Sequence, residues 1–224
     1  MRTSKLMTAV MSVMLALVLL AGSIAVPILA RPFYYAHIDA FDLVRQTGLT
    51  EQEIKTAYDE MMDYCLGKSD TFSTGVLAWS EEGKSHFDDV AVLFKLDISV
   101  MLVCLLGAAV LLAVSRKKKM SFAAILGRGP LFWAAVTLGV PFVVIGGLAA
   151  LDFDKAFVVF HSIFFPGKTN WIFDYNLDQI IRILPQDFFM NCGILILSVL
   201  LLGCIAFIAV DFAVYKKETV TAGK

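Results

Sequence analysis

The sequence predicts an all-α integral membrane protein: four transmembrane helices with a small extracytoplasmic cap made from two loops. Three observations predict it, namely the composition, four long apolar stretches, and a one-sided distribution of lysine and arginine along the chain.

Of the 224 residues, 58% are hydrophobic and only 17% are charged, and the mean hydropathy is +0.76. Soluble domains run to about half apolar and about a quarter charged. A helix needs about 20 predominantly apolar residues to cross the hydrocarbon core. Stretches of that kind run over Leu6 to Ala30, Ile98 to Val114, Leu131 to Leu151 and Cys192 to Val210. Arg2 and Lys5 ahead of the first stretch give it the look of a signal peptide. Its apolar run is longer than the roughly 7–15 residues of a signal h-region, so it is read as a retained helix.

Cytoplasmic flanks of spans carry the excess of Lys and Arg. The connection between the second and third spans holds Arg116, Lys117, Lys118, Lys119 and Arg128 with no acidic residue, and Lys216 and Lys217 follow the fourth span. Residues 31–96 hold six basic and twelve acidic residues, and 152–191 hold three basic and five acidic. The expected organisation is therefore as follows: 1–30, first span with cytoplasmic N-terminus; 31–96, first extracytoplasmic segment; 97–114, second span; 115–130, basic cytoplasmic loop. It continues with 131–151, third span; 152–190, second extracytoplasmic segment, interfacial; 191–213, fourth span; 214–224, cytoplasmic tail. Topology accounts for the basic run at 116–119, and no nucleic-acid partner is inferred from it.

Within the first outer segment, Thr50 and Glu53 have capping-box spacing. Ile54, Tyr58, Met61, Met62 and Cys65 then recur at helical intervals before Gly67, predicting an amphipathic helix. Short apolar pieces between Asp70 and Glu82 allow a small hairpin. From Ser85 the chain runs without Gly or Pro to Gly107, so one helix is expected to emerge from the second span, with Ser85 and Asp88 as its capping pair. His86 then stands in its first turn, about 10 Å above Leu93 at ~1.5 Å per residue. The helix dipole lowers its pKa while Asp88 and Asp89 raise it, so no net direction is expected. The second outer segment, rich in Phe and Trp and broken at Pro166-Gly167 and Pro185, suits the membrane interface. Pro185 is the expected start of the last helix.

The histidines are His37, His86 and His161, all outside the spans, and histidine is the side chain suited to moving protons both ways near neutrality. His86 and His161, in apolar settings next to spans, read either as catalytic groups or as satisfied structural ones. His37 reads as merely exposed. Neither H-E-x-x-H nor Cys/His ligand spacing occurs, so no metal or cofactor is inferred. G-x-S-x-G is absent too, and Ser85 and Ser162 diverge by about 100° from their neighbouring histidines. The four cysteines suggest small adaptable packing groups rather than a disulfide framework. Gly139, Gly146, Gly147, Ala149, Gly203 and Ala206 point to close helix packing, the alternative being a groove for acyl chains. Asp97 and Asp211 lie only at span ends, which argues against a pump or channel.

The strings His86-Phe87-Asp88-Asp89-Val90, Phe160-His161-Ser162-Ile163-Phe164-Phe165, Trp171-Ile172-Phe173-Asp174 and Leu184-Pro185-Gln186-Asp187-Phe188-Phe189 occur here in order. Over nearly the whole chain they resemble the lipoprotein intramolecular transacylase family of low-GC Gram-positive bacteria. Phe87 and Ala91 stand where the family pattern has a methionine and a basic residue. The resemblance implies a multi-pass protein of the bacterial plasma membrane, with both termini cytoplasmic and an extracytoplasmic active site. Its reaction would move the sn-2 acyl chain of a diacylglyceryl-modified lipoprotein to the α-amino group of the N-terminal cysteine, giving a lyso-form lipoprotein.

The resemblance makes His86 and His161 the catalytic pair, with diacylglyceryl lipoproteins and membrane lipid as partners. Asp89, one turn from His86, is a candidate to orient an imidazole, and Trp171 and Asp174 are candidates to shape the second loop or position substrate. The alternative is a non-enzymatic membrane protein whose outer cap binds a lipid or protein, and a lipid hydrolase is a third reading.

Overall fold

The computed structural model describes residues 2–222. Residues 1, 223 and 224, the outer ends of the first and last expected segments, lie outside the described residues. In chain order the elements are a strand β1 (Arg2–Ser4), helices α1 (Lys5–Leu29), α2 (Arg31–Ala40), α3 (Leu43–Thr47), α4 (Glu51–Cys65) and α5 (Glu81–Lys117), a strand β2 (Met120–Phe122), and helices α6 (Pro130–Leu151), α7 (Phe153–Phe164) and α8 (Gln186–Ala222). Among the described residues, four helices are long and apolar enough to cross a membrane: α1, α5, α6 and, over Gln186–Val214, α8. Among the described residues, β1 pairs with β2 in parallel, from Arg2 opposite Met120 to Ser4 opposite Phe122, and Ile125 and Arg128 form an isolated antiparallel bridge.

The chain forms two compact units. The first draws on 1–24, 98–147 and 196–224. Its core is Ala135, Leu138, Leu200 and Cys204, with Leu19, Leu20, Phe142 and Phe207 packed against them. Small residues there serve close approach: a Cβ on Gly203 would fall 2.3 Å from Leu19 Cδ1, and one on Gly146 would fall 2.5 Å from Leu197 Cδ2. Asp211 is buried. Its carboxylate accepts hydrogen bonds from the backbone N–H groups of Gly129 (3.0 Å) and Phe132 (3.4 Å), satisfying donors that the start of α6 leaves open.

The second unit draws on 25–97 and 148–195. The capping box forms as its spacing predicts, with Glu53 N–H donating to Thr50 Oγ1 (3.2 Å) and Thr50 N–H donating to Glu53 Oε2 (2.8 Å). α4 buries Ile54, Ala57, Tyr58, Met61, Met62 and Cys65. Tyr34 of α2 stacks on Tyr58 at 3.7 Å, and its hydroxyl donates to the Ile183 carbonyl (2.9 Å). Gly67 follows α4 at φ +71°, a left-handed conformation that stops a helix at little steric cost.

Residues 70–80 form no hairpin. Their polar groups are satisfied from within the unit: Ser73 Oγ and Gly75 N–H donate to Glu60 Oε2 of α4 (2.6 and 3.0 Å), and Thr74 Oγ1 donates to the Leu77 carbonyl (2.7 Å). With those groups occupied, no ladder is needed.

α5 begins four residues before the expected cap. Ser80, not Ser85, is its N-cap, and Ser80 Oγ accepts from Gly83 N–H (3.0 Å). In a capping box the side chain of the third helical residue accepts the N-cap's backbone N–H. Here that residue is Gly83, and the carboxylate comes instead from Asp178, which accepts from both Ser80 N–H and Ser80 Oγ at 2.8 Å. A Cβ on Gly83 would stand 2.1 Å from Asp178 Oδ1, so glycine leaves the space the carboxylate fills. Gln179 reinforces the tie by donating its N–H to the Ala78 carbonyl (2.9 Å) and accepting from Ala78 N–H (3.1 Å). His86 consequently sits in the second turn of α5.

Candidate functional site

α5 carries His86, and α7 carries His161. α7 is held at its start by Asp152, whose carboxylate accepts from Lys155 N–H (2.9 Å). Its apolar side chains Val158, Val159, Phe160, Ile163 and Phe164 are exposed, whereas His161 is turned inward and only 6% exposed. His86 is also 6% exposed. The imidazole centroids lie 5.8 Å apart, with the rings inclined at 33°. Phe165 (4.9 Å) and Phe173 (5.5 Å) meet the His86 ring edge to face. Trp171 stacks on His161 at 4.4 Å, and Phe157 lies 4.3 Å from it.

The tautomer of His161 follows from its partner. Nδ1 lies 2.7 Å from the Phe157 carbonyl, which can only accept, so Nδ1 carries the proton and Nε2 holds a lone pair. His86 Nδ1 is buried without a partner. The His86 pKa is lowered from 6.5 to about 4, by burial foremost and then by the charges of His161 and Lys168, with Asp89 opposing them. Burial also lowers the His161 pKa, against the raising effect of its bond to Phe157. Both rings are therefore uncharged at neutral pH. The sequence-level balance of dipole and carboxylates leaves out burial, which is the largest effect.

Asp89 does not hydrogen-bond either imidazole. It accepts from Lys168 Nζ (2.5 Å) and Asn170 Nδ2 (3.1 Å), fastening the loop after α7 to α5. Although burial pushes its carboxyl up, those two bonds hold it below the usual range. Asp174 is exposed and accepts from the backbone N–H groups of Asn176 (2.7 Å) and Leu177 (3.3 Å), so its carboxylate shapes its own turn. Trp171 both stacks on His161 and donates its indole N–H to the Lys168 carbonyl (3.1 Å).

His37, read as exposed, is partly buried and bonded at both nitrogens: Nδ1–H donates to the Phe33 carbonyl (2.7 Å) and Nε2 accepts from Asn191 Nδ2 (3.0 Å). It joins α2 to α8, with Phe33, Phe41 and Phe188 around it. Cys65 is buried, and burial pushes its thiol up to about 12, which leaves it a packing group. Sequence reasoning passed over Lys168, Asn170 and Asp178 because loop residues show no periodicity. Phe165 and Phe173 stood inside the recognised strings, but nothing there separates a ring that covers an imidazole from one that faces lipid.

The class that fold and site define is a helical multi-pass membrane protein holding a buried pair of uncharged imidazoles. The chain belongs to the lipoprotein intramolecular transacylase family: the family model described as "Lipoprotein intramolecular transacylase Lit" matches residues 9–189. Among solved structures it is similar to the membrane-integral lipoprotein intramolecular transacylase Lit from Bacillus cereus, at TM-score 0.85 and 27% identity, covering 96% of this chain and 97% of that one. It is also similar to variants of that protein with one histidine replaced by arginine or by alanine, each at TM-score 0.78 and 26% identity over 96% of this chain and 93% and 94% of theirs. Comparison with curated proteins yields no match.

Proposed function

We propose that this protein moves the sn-2 ester-linked acyl chain of a diacylglyceryl lipoprotein to the α-amino group of the same molecule's N-terminal cysteine, leaving a lyso-form lipoprotein. The observation that carries the reading is the imidazole pair, 5.8 Å between centroids and buried in aromatic rings. Family membership supports the reaction class. The acidic balance of residues 31–96 and 152–191 against the basic 115–130 supports an extracytoplasmic site, cytoplasmic termini and the segment limits given above.

His161 is the base. Its Nε2 lone pair takes a proton from the cysteine amine as the nitrogen attacks the ester carbonyl carbon. The imidazolium that forms is stabilised by its Nδ1–H bond to the Phe157 carbonyl. His86 is the acid: it receives the proton that His161 has taken from the amine and passes it to the sn-2 oxygen as the carbon–oxygen bond breaks. One amide forms, one ester breaks, and one proton moves from nitrogen to oxygen. Because the two charges repel, the pair holds a single extra proton at a time. Amine and ester belong to one molecule, so orientation supplies much of the acceleration. Two acyl chains keep the substrate in the bilayer, and the apolar face of α7 suits the same interface.

The test is mass spectrometry of a diacylglyceryl lipoprotein's N-terminal peptide from cells expressing the wild type, His86→Ala or His161→Ala. The wild type shifts one chain onto the amine at unchanged total mass, and each inserted variant transfers at least ~10²-fold more slowly, the usual share of a general acid or base. Loss of one chain from the substrate instead indicates a hydrolase. An unmodified substrate with the wild type restores the binding-protein reading.

A further inference from the structure

Asn170 lies between the two histidines in connectivity: its amide nitrogen is 3.4 Å from Ser85 Oγ, the residue before His86, and Trp171, the residue after it, stacks on His161. Its orientation is determined. Nδ2 is 3.1 Å from Asp89 Oδ2, a carboxylate that only accepts, so the amide cannot be reversed. Its Oδ1 is buried and has no partner, as has His86 Nδ1. An unpaired buried acceptor is unfavourable and marks a place where a donor belongs.

Oδ1 has no proton to give. It therefore cannot stabilise the oxyanion or bond the ester oxygens, all of which are acceptors. At the reacting end of a diacylglyceryl cysteine, the donors are the N–H groups of the α-amine and of the adjoining peptide. We infer that Asn170 binds the substrate's α-amine, with Oδ1 accepting one amine N–H while Asp89, behind Nδ2, fixes and polarises the amide. Held in this way, the amine directs its lone pair at the ester carbonyl and a second N–H at His161 Nε2. The inference rests on the transacylase reading. It adds the group that selects nitrogen over water as nucleophile.

The distinguishing readout is the partition of products. Purified wild type and Asn170→Ala in lipid nanodiscs are given a diacylglyceryl lipopeptide, and N-acyl product and free fatty acid are both quantified. Asn170→Ala lowers transfer at least tenfold while fatty-acid release persists, because the imidazoles still activate water. Asn170→Asp, which keeps the acceptor and adds charge beside Asp89 and Lys168, recovers part of the transfer. It also moves the rising limb of the pH profile to higher pH, since the added anion favours the ammonium. Wild-type transfer by Asn170→Ala overturns the inference. So does a parallel fall of both products with an unmoved pH limb in Asn170→Asp, which would assign Asn170 to the scaffold. A wild type that only releases fatty acid rejects the transacylase reading itself.

Discussion

Replacing Gly83 with alanine tests the tie between the two segments that carry the histidines. The new Cβ would stand 2.1 Å from Asp178 Oδ1 and 2.6 Å from its Cγ, so the whole carboxyl group must leave. Asp178 is only 5% exposed, and its departure breaks both bonds to Ser80. Loss of a cap costs about 0.5–2 kcal/mol, and a buried group left unpaired costs about 1–3 kcal/mol. Alanine recovers about 1 kcal/mol of helix propensity over glycine. The balance is a destabilisation of about 2 kcal/mol, or a melting temperature lower by about 4–8 °C for a chain of this size. The assay is thermal unfolding in one detergent for the wild type, Gly83→Ala, Asp178→Ala and the double variant. In the Asp178→Ala background the space is empty, so adding Gly83→Ala is neutral or stabilising. A Gly83→Ala protein that melts higher than wild type, or a penalty of the same size in both backgrounds, refutes the trans-cap.

Three further outcomes follow from the histidines. His86 has its pKa lowered to about 4, so below the unfolded value of about 6.5 the unfolded chain binds the extra proton first. Stability from this group is complete above pH 6.5 and declines by about 3 kcal/mol as pH approaches 4, measurable as denaturant midpoints against pH that should flatten in His86→Phe. The transfer rate should rise with pH through the amine's own range, about 7.7–8.0, with no histidine inflection near 6.5; an inflection there contradicts neutral, buried rings. His37→Ala removes the bond to Phe33 within α2 and the bond that joins α2 to Asn191 of α8 and should lower stability by about 1–2 kcal/mol. Transfer per folded molecule stays within twofold of wild type; a larger loss brings His37 into the chemistry.

Much of the architecture was legible before any tertiary information. A span needs only length and apolarity, both properties of a local stretch, so α1, α5, α6 and α8 follow from residue type alone. Thr50 with Glu53, and the apolar face of α4, are legible for the same reason: capping and amphipathicity act over a few residues. His86 and His161 stood out by chemistry, since few side chains titrate near neutrality.

Everything that made those histidines a site came from residues distant in sequence. Asp88 and Asp89 looked able to offset the helix dipole at His86 and leave its pKa without a net direction, yet rings from the second segment bury it and keep it neutral. Asp89 itself is turned to Lys168 and Asn170, about eighty positions away. Ser85 resembled a cap, but Ser80 caps the helix because Asp178, ninety-eight residues on, occupies the space beside Gly83. His37 looked exposed until Asn191 reached it across 154 positions. Local sequence determined which segments become helices and which side chains can move protons. Burial and hydrogen-bond partners, set by which surfaces meet, decided the charge each group carries and the direction it faces.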